Sequence, residues 1–486
     1  MKIGVKKTFG NRCITIKTKK EMKKNLFMVA AVALMALVSC NKEEINNNVV
    51  EQPQEPSYYV EFVASIAEDA DTKAFDPATP KTYWVEGEAI SINGKKFEVK
   101  EVLENGNAIF ENKEELGEGF GAPYSAVYPY SAGTSFDAVT VPSEQTAFAG
   151  NIAPEALVAV AQSENNTLNF KHLTSLLKFQ VPAACSEVTI SSGNALSGSV
   201  KVTSVLDKDI AFSDESASKS LKITGSFEAG KDYYLSVLPG TKSNFVVRID
   251  GYLSNNAESV KISRSKVVNM KKLTQPEVSS WGIVGATNGW NEQSPITMYE
   301  DLNGCLLVRG FSGGEFKFVK SKTWNISRGI RSREASPVKG TWNLCGTKNI
   351  SLSDGKYDVY FNPKNGVFNF VDNGANVDNY LPTGKAIYLQ VKDWSNADAY
   401  FEAWVWGSSQ ADAWYKFAMA GEKDNNHYVV YVPNDATGMK ILRKDPKSAS
   451  QAWSSWNDSG DQTIPSDKNM FIESGWNKYS WGSYTE

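Results

Sequence analysis

The chain has 486 residues, room for about three domains of ordinary size. Its formal net charge is −4, from 51 Lys and Arg against 55 Asp and Glu, and it has no long basic stripe, which excludes nucleic acid as an expected partner. An apolar fraction of 41% is ordinary for water-exposed domains, and the Gly, Asn and aromatic content leans towards β structure.

The first strongly apolar stretch, residues 26–38, follows Lys23 and Lys24 and ends in Leu37-Val38-Ser39-Cys40. It is short for a membrane span and reads as the core of a signal peptide, with Met22 as the expected start. Two readings follow: a plain secretory signal cleaved near Cys40, or a lipoprotein signal. Leu-Val-Ser-Cys resembles the bacterial lipobox, which implies that Cys40 becomes a lipidated first residue. Asn41-Lys42-Glu43-Glu44 resembles the acidic signal that sends Bacteroides lipoproteins to the outer face of the outer membrane. Residues 1–39 are therefore expected to be an N-terminal extension and signal. Residues 40–58 are expected to be the anchor and a polar, flexible tether.

Residues 59–275 alternate short apolar runs with Gly, Asn and Ser breaks, the pattern of a β-sandwich. Residues 60–66 and 246–249 read as strands. Trp84-Val85-Glu86-Gly87-Glu88-Ala89-Ile90, Ala126-Val127-Tyr128-Pro129-Tyr130, Val141-Pro142-Ser143-Glu144-Gln145 and Leu168-Asn169-Phe170-Lys171-His172-Leu173 follow in order. These motifs resemble the N-terminal domain of fimbrillin-like lipoproteins and read as structural. His172 has no nucleophile motif beside it and reads as a hydrogen-bonded or half-exposed residue rather than a catalyst.

Trp is unevenly spread. Of 13, Trp84 stands alone in the first 280 residues, and twelve fall between Trp281 and Trp481. Indole is costly to expose without a ligand, so this density suggests platforms for flat, partly apolar ligands such as sugars. Residues 279–372 are punctuated by Gly304, Gly313-Gly314 and Asn365-Gly366. The last pair, between residues 357–362 and 367–370, signals a hairpin. Val284-Gly285-Ala286-Thr287-Asn288-Gly289-Trp290-Asn291, Gly314-Glu315-Phe316-Lys317-Phe318, Trp324-Asn325, Asn349-Ile350-Ser351-Leu352 and Gly355-Lys356-Tyr357-Asp358-Val359 resemble the binding domains of outer-membrane starch-binding lipoproteins. The resemblance implies an arc of Trp290 and Trp324, with Lys317 and Asn349 holding sugar hydroxyls. Without it, Trp290 reads as a core anchor and Lys317 as a solvated strand residue.

In residues 385–486, the run Ala399-Tyr400-Phe401-Glu402-Ala403-Trp404-Val405-Trp406 sends Ala399, Phe401, Ala403 and Val405 to one face. Tyr400, Glu402, Trp404 and Trp406 fall on the other, either packed under another layer or open as a ligand platform. Ile387-Tyr388-Leu389, Trp394, Trp414, Met419, Tyr428-Val429-Val430-Tyr431-Val432-Pro433, Lys440-Ile441-Leu442-Arg443, Trp456-Asn457, Gly460-Asp461-Gln462-Thr463, Trp476 and Trp481 complete a pattern of about 100 residues. It resembles carbohydrate-binding module family 26. That implies a platform of Tyr400, Trp404, Trp406 and Trp414, with Asp461 and Gln462 near the sugar hydroxyls. The family usually has Pro-Gly after the loop Trp, where this chain has Tyr415-Lys416.

The expected fold is all-β: three β-sandwich domains in series after the lipoprotein signal and tether. The expected function is non-catalytic capture of starch, amylopectin, glycogen or maltooligosaccharides, with no cofactor and no metal. A porin-type glycan transporter complex is an implied partner. Two alternatives compete: a surface adhesin or fimbria-like subunit, and a glycoside hydrolase using carboxylates among Glu402, Asp445, Asp458 and Asp461. Cys185, Cys305 and Cys345 have no zinc-ligand spacing. Cys305 and Cys345 could pair in an oxidising compartment, but simple buried thiols are the expected state.

Overall fold

Alternation of apolar and polar residues, broken by turn-forming Gly, Asn and Asp, yields β structure along the chain. The computed structural model describes residues 60–66 and 84–485, apart from 207–208, 215–216, 333, 335, 376, 396–398 and 448–452. The expected signal and tether, Cys40 included, lie outside the described residues. The regular structure is all-β, with three single 3-10 turns and no α-helix among the described residues.

The strand pairings fall within three stretches of chain. In the first, seven strands close into a barrel. Glu61–Ile66 pairs in parallel with Thr167–His172 and antiparallel with Ala108–Glu111. Trp84 is buried in this barrel, edge-on to Phe110, Tyr128 and Phe170. A sandwich follows. Its six-stranded sheet contains Cys185–Ser191, Ser220–Phe227 and Gly240–Ile249, and its three-stranded sheet is centred on Ser175–Gln180. Leu177 and Phe179 from one layer meet Val188, Ile190, Ile223 and Val247 from the other. The stretch thus holds a barrel as well as a sandwich, because the Trp84 motif and its partners curl the sheet around their own aromatic core. His172 is buried, and desolvation pushes its imidazole down to about 4, so it is neutral at pH 7.

In the second stretch, Val278–Gly285 pairs with both Ile296–Glu300 and Gly314–Lys320, which closes a ring of eight strands. Phe316 and Phe318 point inward, as alternation predicts, and Phe318 stacks on Phe361 at 4.2 Å. The expected hairpin joins Tyr357–Asn362 to Val367–Asp372. Gly366 takes φ +60 there, and a Cβ would strike the Met419 carbonyl. Cys305 and Cys345 are free and buried.

The third stretch is a sandwich of two five-stranded sheets. Lys385–Gln390 is central in one and Tyr400–Trp406 lies inside the other. Ala399, Phe401, Ala403 and Val405 face the core with Trp394, Ile441 and Phe471, as their spacing predicts.

Candidate carbohydrate-binding surfaces

The outward face of Tyr400–Trp406 has two halves. Tyr400 is 2% exposed, with the Arg331 guanidinium 4.5 Å from its ring centre. Glu402 is fully buried, 3.0 Å from Arg331 Nη2 and 3.7 Å from Lys444 Nζ. Tyr400 therefore offers no open ring face, a correction to the expected platform. The physical reason is tertiary: Arg331 from the second stretch caps this end of the strand. Burial of Glu402 against two cations likewise takes it away from solvent and substrate.

The other half is partly exposed, with Trp404 and Trp414 half-buried. Trp404 pairs across the sheet with Trp414, and their rings lie 5.4 Å apart at 63°. Trp453, 57% exposed, completes a triangle at 5.8 Å from Trp404 and 5.0 Å from Trp414. Each pair of planes is tilted by about 60°, so the three rings make a faceted corner rather than a flat wall. Lys444 Nζ lies 4.9 Å from the Trp414 ring and Lys440 Nζ 5.9 Å from that of Trp453. Lys440 is also 3.6 Å from Asp458 and 3.9 Å from Asp461. Gln462 is half-buried and donates to the Ser459 carbonyl, which ties it to its own turn. Trp406 is half-buried and lies across Gly438, where a Cβ would sit 2.3 Å from the indole; glycine permits this contact.

In the second stretch, Trp290 and Trp324 do come together, with ring centres 6.1 Å apart and planes at 35°. Their loops are tied to each other. Asn288 accepts from Gly285 N and donates to the Asn291 and Ser294 carbonyls. Glu292 accepts from Trp324 N, and Gln293 donates to the Lys322 carbonyl. Trp290 sits at φ +59, and Ser321 and Lys322 at φ +52 and +58, a rare backbone for residues with side chains. The hydrogen bonds that tie the Trp290 and Trp324 loops involve neither Lys317 nor Asn349. Lys317 follows Phe316, the register partner of Gly285, whose carbonyl accepts from Trp290 N. It lines a separate 250 Å³ cleft with Ser327, Asn425 and Asn426, where desolvation lowers its ammonium pKa. Asn349 is exposed beside Gly329.

Of the expected core-or-platform indoles, Trp281 and Trp394 are sealed inside. Three rings that the spacing arguments did not select are open. One is Trp453. The other two, Trp456 and Trp476, flank Arg443 at 4.8 and 5.8 Å. Arg443 is anchored by the Trp394 carbonyl and Asn457. The Trp density around residues 453–456 was their signal, but they lie in turns, where period-2 alternation gives no direction. Among the described residues, no group of three or more His, Cys, Asp or Glu is placed to hold a metal ion.

Fold and surface together define an all-β protein with partly exposed indole clusters on fixed loops and strands. No family model matches the chain, and no curated protein matches it. Among solved structures, it is similar to a "putative cell adhesion protein" from Bacteroides uniformis, at 16% identity and TM-score 0.23, over 45% of this chain and 94% of that one. A second protein so described, from Bacteroides thetaiotaomicron, matches at 16% identity and TM-score 0.24, over 44% and 92% of the two chains. Overlap at this level carries no inference about function.

Proposed function

We propose that this protein is a non-catalytic cell-surface lipoprotein that binds starch and related α-1,4-glucans. The observation that carries the reading is the partly exposed triangle of Trp404, Trp414 and Trp453, supported by the tied Trp290–Trp324 pair. A pyranose shows C–H groups on its face and hydroxyls at its edge. An α-1,4-glucan coils, so successive sugar faces turn, and tilted rings can follow that turn where a flat β-linked chain touches fewer. Covering on the order of 80 Å² of apolar surface per ring is worth about 2 kcal/mol at about 25 cal/mol per Å². Each site alone is then weak, and two on one chain gain by avidity on a polymer. The burial of Glu402 against Arg331 and Lys444 favours binding over hydrolysis. Anchoring through Cys40 in the outer membrane, facing outward beside a porin-type transporter, is the setting that the sequence resemblance implies.

Native electrophoresis through amylopectin tests the reading. The protein is expected to be retarded there and not in a β-glucan gel. Trp404→Ala with Trp453→Ala should weaken retardation at least tenfold, the loss expected for about 1.4 kcal/mol or more. Migration unaffected by amylopectin, or release of reducing sugar from it, overturns the proposal.

A further inference from the structure

A cavity with a mixed aromatic and polar lining lies away from both indole clusters, between the first and second stretches. It measures about 810 Å³ and is walled by Thr189, Ser191 and Ser220 on one side and Trp342 and Tyr380 on the other. That volume is within the range of about 300–1,000 Å³ common for small-ligand sites.

The two walls differ in chemistry. On Cys185–Ser191, Val188 and Ile190 point into the sandwich core, which turns Thr189 and Ser191 outward. Ser191 pairs with Ser220 on the adjacent strand, so the hydroxyls form a row. Facing them, the Trp342 and Tyr380 rings lie 5.5 Å apart at 56°. Trp342 Nε1 donates to the Asp378 carbonyl, so its polar edge is satisfied, and the half-buried ring packs on Leu307, Tyr360 and Val371 while lining the cavity. Arg248 also lines the cavity, but it is bound at 2.8 Å to the buried Asp301. The cation is thereby neutralised, and the exposed Asp378 at the rim adds no attraction for an anion.

The walls are held apart at a fixed spacing. Arg309 N donates to Tyr252 Oη, Tyr252 packs 4.3 Å from Tyr299, and the Arg248–Asp301 pair crosses the junction. A pre-formed cleft avoids the ordering cost of closing on a ligand. An aromatic wall opposite a row of hydroxyls, with no uncompensated charge from Arg248, suits a neutral polyhydroxylated ring.

We infer that this cleft between Ser191 and Trp342 is a third carbohydrate site, taking a short neutral oligosaccharide independently of the exposed clusters. Its assignment to α-glucan in particular rests on the reading given under Proposed function.

The test uses the full chain with Trp290, Trp324, Trp404 and Trp453 replaced by Ala, run in amylopectin gels and titrated with maltoheptaose. This protein is expected to remain measurably retarded. Adding Ser191→Trp, which fills the cleft from an exposed position without touching the core, should return migration to that of a gel without polysaccharide. Trp342→Ala should do the same, with circular dichroism confirming the fold. If the four-Ala protein is not retarded while the parent is, the cleft is refuted and the exposed clusters stand. If it is retarded but indifferent to Ser191→Trp, the cleft is also refuted. A parent protein that ignores amylopectin and maltoheptaose refutes both.

Discussion

At the scale of single residues, the same side-chain type is used in opposite ways, and burial decides which. Trp394 and Trp281 anchor cores, while Trp453 and Trp476 lie more than half exposed. Glu402 is the sharpest case, since a carboxylate among aromatics could serve binding, hydrolysis or structure. It is buried between Arg331 and Lys444, both also buried, with the half-buried Glu334 3.5 Å from Arg331 as the remaining acid of the group. Desolvation lowers the pKa of both cations, and the Glu402 charge opposes that shift. Glu402→Gln should therefore destabilise the fold by about 3–5 kcal/mol, the usual cost of leaving buried charge uncompensated. Urea unfolding reads that loss. Amylopectin retardation of the still-folded variant should match the parent. A stable variant with lost retardation would instead place Glu402 against the sugar.

At the scale of elements, alternation was legible in the sequence wherever a strand faces a core. Phe316 and Phe318 turn inward, and so do Phe401, Ala403 and Val405. Alternation could not say what covers the opposite face, so Tyr400 and Trp404, four residues apart on one face, meet different fates. Nor could it reach the loops that carry Trp290, Trp324 and Trp453. The Lys320–Thr323 hairpin shows the cost of building such a loop. Ser321 and Lys322 both hold φ near +55 without being Gly or Asn. That twist matches a two-residue hairpin but costs residues with a Cβ about 1 kcal/mol each. Replacing the pair by Asn-Gly (Ser321→Asn, Lys322→Gly) should stabilise the protein by about 1–2 kcal/mol, seen as a higher urea midpoint. Trp324 should keep its place, so amylopectin retardation should not fall. A lower midpoint would mean that the Ser321 or Lys322 side chain itself holds the loop.

At the scale of the whole molecule, the second and third stretches are joined by two deeply buried arginines, Arg331 on Glu402 and, with more bonds, Arg328. Arg328 is fully buried, and desolvation pushes its guanidinium down to about 10. Its Nη2 donates to the carbonyls of Ala420, Gly421 and Asp424, and its Nη1 to Asn425 Oδ1 and its neighbour's carbonyl. Trp281 Nε1 and Lys320 add bonds to Glu422 across the same junction. The two indole clusters thus ride on modules that a shared polar network holds in register. On the proposed function each site is weak, and a fixed spacing would let one polymer chain engage both at high effective concentration, a gain of about a hundredfold or more when the geometry fits. Arg328→Met keeps the apolar stem but removes the donors for three buried carbonyls, each costing about 1–3 kcal/mol when left bare. In calorimetry the two modules should melt together in the parent and separately in the variant. Binding of maltoheptaose, too short to need both clusters, should persist. Retardation by amylopectin should drop towards that of a protein with one cluster removed. If the variant instead melts as one unit and keeps full retardation, Glu422 with its partners and the Arg331–Glu402 pair hold the junction without Arg328, whose role is then confined to its own burial.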